Sequence, residues 1–265
     1  MLRLYHGANS VCSVKVRVVL AEKDLAWESH HINLPKGEQF EPEFLKINPR
    51  AIVPVLDHDG VLIHESSVIS EYLDGLSEHN KLMPSDLVRQ AKTRRWGVYT
   101  LEYHDSVNTL TFSSYQRKML LERPPEELEA RWAATPDQIR VRKIKDLLAN
   151  GGQSAHVPVA MKRLARMCAE MEDDLATGPW LMGESYSLAD ALLTAYFFRT
   201  ECVGLAGLWE SRYPRTTDWY ERIKARSSFG EAINPWLDEA AMGKIKAAGE
   251  ETFLADDSFA DFLKN

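Results

Sequence analysis

The chain has 265 residues, 45% of them hydrophobic and 27% charged, and a formal net charge of −7 at pH 7. This length can form two small domains, and the acidic balance argues against nucleic acid or an anionic membrane as a partner. No N-terminal signal segment and no stretch of the roughly 20 apolar residues that a spanning helix needs are expected. The three cysteines are scattered and odd in number, which favours a reducing cytoplasm over a disulfide framework. No metal-ligand spacing is present, so no metal site is expected.

The first part of the chain alternates strand and helix patterns. We predict strands over residues 1–5 and 27–34 and helices over residues 13–22 and 42–47. The first helix would begin near Ser10 or Ser13, because serine favours helix N-termini. A strand, a helix and a strand in succession predict a parallel pair with a right-handed crossover.

A hairpin and a helix follow around Val53-Pro54. Proline cannot donate to a strand ladder and therefore belongs at the start of a strand. Asp59-Gly60 separates two short apolar runs, which indicates a hairpin. The polar residues Glu65-Ser66-Ser67 then precede an apolar-periodic helix. The free peptide edge beside the proline and the N–H groups of the helix N-terminus suit a small ligand that carries a carboxylate.

These motifs together resemble the glutathione-binding half of glutathione S-transferases. The resemblance implies a thioredoxin-like fold, in the order β-α-β-α-β-β-α, over about residues 1–77. It implies that Pro54 is a cis-proline and that the Val53 backbone pairs with the cysteinyl part of the co-substrate glutathione. Glu65 and Ser66 match the pair that holds the γ-glutamyl group. Lys36 and Gln39 match polar residues that hold the glycyl end, although both also suit a plain solvated loop.

Glutathione transfer needs a thiolate, and a free thiol near pKa 8.5 is largely protonated at pH 7. A hydroxyl donor and a helix N-terminus both stabilise the anion. The segment from Asn9 to Arg17 is similar to the S-x-C-S-x-x-V-R pattern of zeta-like transferases. Ser10 is our first candidate for the thiolate donor, Asn9 the second and Ser13 the third. We interpret Tyr5 as a core residue and Cys12 as a buried neighbour.

The turn-rich residues 77–85 predict a domain boundary, and residues 86–265 predict an all-helical second domain. The predicted helices cover residues 88–104, 106–121, 157–175 and 214–229, with two more beginning at Pro125 and at Thr135-Pro136-Asp137-Gln138. In the helix that begins at Thr135-Pro136-Asp137-Gln138, the proline would lie in the first turn. Asn150-Gly151-Gly152 would end that helix. Residues 236–265 are compatible with a helix or a loose segment.

Ser187 and Asp190 have the spacing of a capping box before an apolar run. Each side chain can accept a hydrogen bond from the free backbone N–H group of the other residue. Tyr186 could also pack against Ala191. On this pattern, replacing Asp190 by alanine costs of order 1 kcal/mol of stability.

The long segment over residues 105–157, the Gly-Ala-Asn-Ser loop and Ile47-Asn48-Pro49-Arg50 resemble bacterial β-aryl ether-cleaving glutathione transferases. The resemblance implies that glutathione thiolate displaces an aryloxy group from a lignin-derived ketone, with a small aromatic electrophile as partner, and that the protein is a homodimer. A general detoxifying transferase and a non-catalytic glutathione-fold binding protein are the alternatives. Aromatic residues available for an electrophile pocket are Tyr99, Tyr103, Tyr115, Trp132, Tyr196 and Phe197.

Overall fold

The computed structural model describes residues 1–255 and Phe262. They form two compact units. The first unit comprises Met1–Leu101, Asp173–Ala195 and Asp218–Leu237, and the second comprises Glu102–Glu172, Tyr196–Thr217 and the described residues from Asp238 onward. Within the described part, no helix is both long and apolar enough to cross a membrane.

A four-stranded mixed sheet forms the centre of the first unit. Its strands are β1 (Leu2–His6), β2 (Trp27–His31), β3 (Val55–His58) and β4 (Val61–Ile63), in the order β2-β1-β3-β4. β1 is parallel to β2 and antiparallel to β3, and β3 is antiparallel to β4. The accompanying helices are α1 (Val11–Glu22), α2 (Pro42–Ile47) and α3 (Ser66–Gly75). The predicted thioredoxin-like element order is therefore confirmed.

The second strand is shorter than predicted because the chain turns just after Asn33. The Oδ1 atom of Asn33 accepts a hydrogen bond from the backbone N–H of Lys36 at 3.1 Å, which is a typical asparagine turn. Tyr5 packs with Ile32, Phe44 and Val55 in a buried cluster, as predicted.

The rest of the described chain is helical, as predicted. The helices are α4 (Leu87–Ser113), α5 (Tyr115–Leu121), α6 (Pro125–Ala134), α7 (Gln138–Asn150), α8 (His156–Asp174), α9 (Leu188–Cys202), α10 (Gly207–Glu210), α11 (Pro214–Lys224), α12 (Ser227–Ile233) and α13 (Glu239–Phe253). Helix α13 occupies the segment for which the sequence left helix and coil open; the tail at 256–261 and 263–265 lies outside the described residues. Four of the six candidate pocket aromatics are buried core residues: Tyr103, Trp132, Tyr196 and Phe197.

Three predicted helix boundaries are wrong. The predicted break before Ser106 does not occur, because its hydroxyl donates to the Glu102 carbonyl at 2.9 Å within α4 instead of capping a new helix. Pro136 lies outside α7, since Asp137 is the N-cap and its carboxylate accepts from the Ile139 and Arg140 backbone N–H groups.

The third error is the single helix predicted over residues 214–229. The chain forms two helices there, because Arg226 adopts an extended backbone with φ −78° and ψ 142°. Its guanidinium bonds both carboxylate oxygens of Glu22 at 2.6 and 2.7 Å. That long-range ion pair explains why a local pattern did not reveal the break.

The predicted capping of the Ser187 N–H by Asp190 is present and extended by further contacts, whereas the Ser187 hydroxyl donates to the Asp190 carboxylate instead of capping the Asp190 N–H. The Asp190 carboxylate accepts from the backbone N–H and the hydroxyl of Ser187, at 2.8 and 2.6 Å. It also accepts from the Leu181 N–H at 3.0 Å and the Trp219 indole N–H at 2.8 Å. The side chain is fully buried, so Asp190 joins a helix start, a turn and a second helix. The predicted contact of Tyr186 with Ala191 stays a prediction.

Candidate functional site

The peptide bond between Val53 and Pro54 is cis, one residue before β3. Asn48, buried at 3% exposure, organises the turn before it: its Nδ2 donates to the Ile52 carbonyl at 2.8 Å, and its Oδ1 accepts from the Arg50 backbone N–H at 3.1 Å. Sequence reasoning did not assign Asn48 this role. The available signal was the tendency of asparagine to bond nearby backbone groups in turns.

Ser10 lies at the N-terminus of α1 and caps it. Its Oγ accepts from the Ser13 backbone N–H at 3.3 Å, which leaves the Ser10 hydroxyl proton available for another acceptor. Asn9 and Ser10 are half-buried, whereas Ser13 is fully buried and accepts from the Gly7 backbone N–H at 3.2 Å. Ser10 and Asn9 are therefore both partly accessible at this helix start, and Ser13 holds the loop from inside.

Glu65 and Ser66 lie at the N-terminus of α3. Ser66 is the first helical residue and is 8% exposed. Glu65 precedes it with a φ of +69°, which is unusual for a residue with a side chain. The Glu65 carboxylate pairs with the Arg50 guanidinium at the protein surface. Together the helix start and this carboxylate offer one group for an anion and one for a cation.

Lys36 and Gln39 belong to the loop between β2 and α2 but differ in environment. Lys36 is exposed. Gln39 is 4% exposed, and its Oε1 has no hydrogen-bond partner among the described residues. An unsatisfied buried acceptor is costly, so this amide is suited to receive an N–H group from a ligand.

Lys15 was not singled out by sequence reasoning. It is 1% exposed, and its ammonium donates to the hydroxyls of Ser67 at 2.9 Å and Thr100 at 3.3 Å. Burial lowers the pKa of Lys15 to about 8, while Cys12 and Glu65 act to raise it. The only sequence signal was a lysine between valines in an apolar helix. Its charge lies beside the first turn of α3, which favours an anion there.

Arg17 crosses the floor of the loop that carries Asn9 and Ser10. The guanidinium is 2% exposed. Its Nε donates to the Ala232 carbonyl at 2.7 Å, Nη1 donates to the Gly7 carbonyl at 3.2 Å, and Nη2 donates to the Ala8 carbonyl at 3.1 Å. Arg17 thus joins α1, the loop and the end of α12.

His6 completes this network as a neutral ring. Burial, with the charge of Arg17 as the next cause, lowers the pKa of His6 to about 3. Its Nδ1 lies 3.1 Å from Arg17 Nη1 and its Nε2 lies 2.8 Å from Ser29 Oγ. Because arginine only donates, Nδ1 is the acceptor and Nε2 carries the proton.

We expect the stability of the protein to fall as the pH drops below about 6.5. The folded pKa of His6, about 3, lies below the ordinary value, so the unfolded chain binds the proton first and stability is lost with falling pH. His6→Asn, which keeps an acceptor near Arg17, should reduce the loss between about pH 7.5 and 5 by about 2 kcal/mol. Urea unfolding at several pH values measures this; parallel pH profiles for the two proteins would contradict it.

Two family models match the chain. Residues 9–76 match the glutathione S-transferase N-terminal domain, and residues 126–222 match the glutathione S-transferase C-terminal domain. Among residues 1–255 and Phe262, no three or more His, Cys, Asp or Glu side chains are grouped to hold a metal ion.

Similar proteins span nearly the whole chain. Protein LigF of Sphingobium sp. is 29% identical and covers 87% of this chain and 92% of its own. The crystal structure of the β-etherase LigF has a TM-score of 0.79 at 28% identity, covering 88% of this chain and 99% of LigF.

Glutathione S-transferase TCHQD of Arabidopsis thaliana is 26% identical and covers 92% of this chain and 95% of its own. A Methylobacillus flagellatus transferase solved with glutathione bound has a TM-score of 0.62 at 25% identity, covering 88% of this chain and 99% of that one. The chain therefore belongs to the glutathione S-transferase family, with the fold of that family and glutathione as its co-substrate.

Proposed function

We propose that this protein is a β-etherase, a transferase whose glutathione thiolate displaces the aryloxy group of a lignin-derived α-keto β-aryl ether. The observation that carries the proposal is the similarity to LigF over 92% of that protein's length, with a TM-score of 0.79 to the β-etherase structure. The arrangement of Ser10 at a helix start supports it.

The proposed reaction is a single displacement. The bound thiol loses its proton to solvent, and the thiolate sulfur attacks the carbon that bears the aryl ether oxygen. A carbon–sulfur bond forms while the carbon–oxygen bond breaks, and the phenolate leaves with the electron pair. The phenolate takes a proton from water, so the products are a phenol and the glutathione thioether of the ketone.

Ser10 is the proposed main donor to the thiolate. Its Oγ is turned toward the helix start by the bond from Ser13, and its proton remains for the sulfur. The N-terminus of α1 adds a favourable dipole. Asn9, the neighbouring half-buried residue, is the proposed second donor. Ser13 supports the loop from the interior, so the order of candidates proposed from the sequence is retained.

In the proposed complex, both backbone and side-chain groups bind glutathione. The Val53 main chain beside Pro54 pairs with the cysteinyl residue. The Ser66 N–H and hydroxyl hold the γ-glutamyl carboxylate. Glu65 takes the γ-glutamyl ammonium group, exchanging part of its pairing with Arg50.

Lys36 and Gln39 are the proposed contacts of the glycyl end. The exposed Lys36 ammonium suits the glycyl carboxylate. The buried Gln39 Oε1, which has no partner among the described residues, suits the glycyl amide N–H. This unsatisfied acceptor is the structural feature that supports binding of the glycyl end of glutathione at this loop.

Steady-state kinetics test the proposed function. The purified protein is assayed with glutathione and an α-keto β-aryl ether, and in parallel with chlorodinitrobenzene. Release of the phenol together with the glutathione thioether supports the β-etherase. Turnover of chlorodinitrobenzene alone leaves a general transferase. Binding of glutathione without turnover of any electrophile favours the non-catalytic alternative.

We also propose that the protein is a cytoplasmic homodimer with domains over 1–77 and 86–265. Exposed apolar side chains support association: Val68 on α3 and Val98 and Leu101 on α4 are 57, 64 and 67% exposed. The two helices contact through Ser67 Oγ and Thr100 Oγ1 at 3.0 Å, so these side chains lie on neighbouring elements. We propose that a second copy of the chain covers these exposed side chains.

Val98→Glu is expected to weaken self-association by about 100-fold or more, because a carboxylate without a partner is costly to bury. Analytical ultracentrifugation over a concentration series measures it. Ile139→Glu is the matched control, since Ile139 is equally apolar and 74% exposed but lies on α7. Equal sedimentation of both variants and the wild type would count against this face.

A further inference from the structure

Arg17 lies beneath the loop that presents the proposed thiolate donors. We propose that Arg17 is a positioning residue, whose guanidinium holds the loop from Gly7 to Ser10 so that the donors face the glutathione sulfur. Arg17 thereby sets the acidity of the bound thiol. The inference rests on the proposed function, in which Ser10 stabilises the thiolate.

The contacts of Arg17 are placed directly before the donors. Nη1 and Nη2 donate to the carbonyls of Gly7 and Ala8, at 3.2 and 3.1 Å. These two residues immediately precede Asn9 and Ser10. Two successive carbonyls bonded to one planar group fix the direction of the chain as it enters α1.

The guanidinium itself has little freedom to move. Its Nε bonds the Ala232 carbonyl at 2.7 Å, and the Trp236 ring centroid lies 5.3 Å from its Cζ. Trp236 in turn packs on the rings of His6 and His31, with centroid distances of 4.4 and 6.2 Å. The end of α12 and the aromatic cluster around Trp236 hold the Arg17 guanidinium in place. The guanidinium therefore fixes the loop relative to these packed residues.

The loop is also tightly packed against Leu34 and Ser13. A Cβ atom on Gly7 would lie 2.7 Å from Leu34 Cδ1, and the Gly7 N–H is bonded to the buried Ser13 hydroxyl. A shift of the loop must therefore break specific contacts. Misplacement of a catalytic group by about 1 Å can cost about 100-fold in rate, so the position of this loop matters for chemistry.

Lysine cannot replace these contacts. The arginine fork presents donors in one plane to separate acceptors, whereas an ammonium group is a point charge on a flexible stem. Arg17→Lys keeps the positive charge and removes the planar fork, so it separates positioning from simple electrostatic attraction.

If Arg17 had a purely structural role, replacing it would lower stability and leave the pKa of the bound thiol unchanged. Arg226 provides the matched control for that role. Arg226 joins the same two helices, because it precedes α12 and its guanidinium bonds Glu22 of α1 at 2.6 and 2.7 Å. Its hydrogen bonds go to Glu22, and its Cζ lies over the rings of Trp180 and Tyr186, 5.5 and 3.8 Å from their centroids. Arg226→Lys should therefore lower thermal stability without altering the loop.

The experiment measures the pKa of the glutathione thiol in the binary complex, from thiolate ultraviolet absorbance against pH. In the wild type this pKa should lie below that of free glutathione. Arg17→Lys should raise it by about one pH unit and lower kcat/KM near neutral pH by about 10-fold, with part of the loss recovered at high pH. Arg226→Lys should leave the thiol pKa unchanged.

The outcomes separate the two proposals. A wild-type complex without a lowered thiol pKa would overturn the proposed function and this inference with it. A lowered pKa in the wild type that persists in Arg17→Lys would overturn the positioning role alone. If the lysine variant fails to fold, Arg17→Gln, which keeps a shorter planar hydrogen-bonding head, is titrated in its place with the same two readings.

Discussion

Replacing Ser10 by alanine is expected to lower kcat/KM for glutathione conjugation by about 100-fold near neutral pH. The hydroxyl is the proposed main hydrogen-bond donor to the sulfur, and removal of one preorganised donor to a developing or bound anion typically costs about 100- to 1,000-fold. Glutathione should still bind, because the proposed contacts at Val53, Glu65 and Ser66 remain. Steady-state kinetics and calorimetry together test this separation of binding from chemistry.

The pH dependence of the Ser10→Ala variant has a defined sign. Without the donor, the bound thiol pKa should rise toward about 8.5, so the defect should shrink as the pH increases. The variant also loses the α1 cap, at a cost of about 1 kcal/mol in stability. Ser10→Thr keeps both the hydroxyl and the cap and serves as the control. Full activity of the alanine variant would reject Ser10 as the donor.

Replacing Asp190 by alanine is expected to cost about 3–5 kcal/mol of the free energy of unfolding. The carboxylate accepts four hydrogen bonds in a fully buried position, from Ser187 twice and from Leu181 and Trp219. Burial raises the pKa of Asp190 even though these bonds act to lower it. The expected loss therefore arises from buried donors left without an acceptor.

Asp137→Ala is the matched comparison for a helix cap alone. Asp137 accepts from the N–H groups of Ile139 and Arg140 at 3.0 and 2.9 Å at an exposed site, so its loss should cost about 1 kcal/mol. Urea unfolding of both variants measures the difference. Equal losses of about 1 kcal/mol would show that Asp190 acts only as a cap.

The first 77 residues could be predicted well because their signals are local. Val53-Pro54 placed a strand start, and Asp59-Gly60 placed a hairpin. The parallel pairing of β1 with β2 and the hairpin of β3 with β4 were predicted from these signals, whereas the antiparallel pairing of β1 with β3 joins distant residues and was not predicted. Prediction was poorer in the helical part, where Ser106 and Pro136 resemble helix starts but do not form them. There the outcome depends on which backbone carbonyl a hydroxyl donates to and which backbone N–H groups a carboxylate accepts from, and neighbouring residues do not specify it.

The sequence by itself determined the strand and helix order of the first 77 residues, the serine at the start of α1 and the Asp190 cap, because each depends on residues only a few positions apart. The cis state of Pro54 and the thioredoxin-like fold were expected from the family resemblance. The tertiary structure alone decided that Lys15 bonds Thr100, 85 residues away, and that Arg17 bonds Ala232, 215 residues away. Neither contact can be read from the sequence, because a charged residue in an apolar helix can be buried only where packing brings distant acceptors to it.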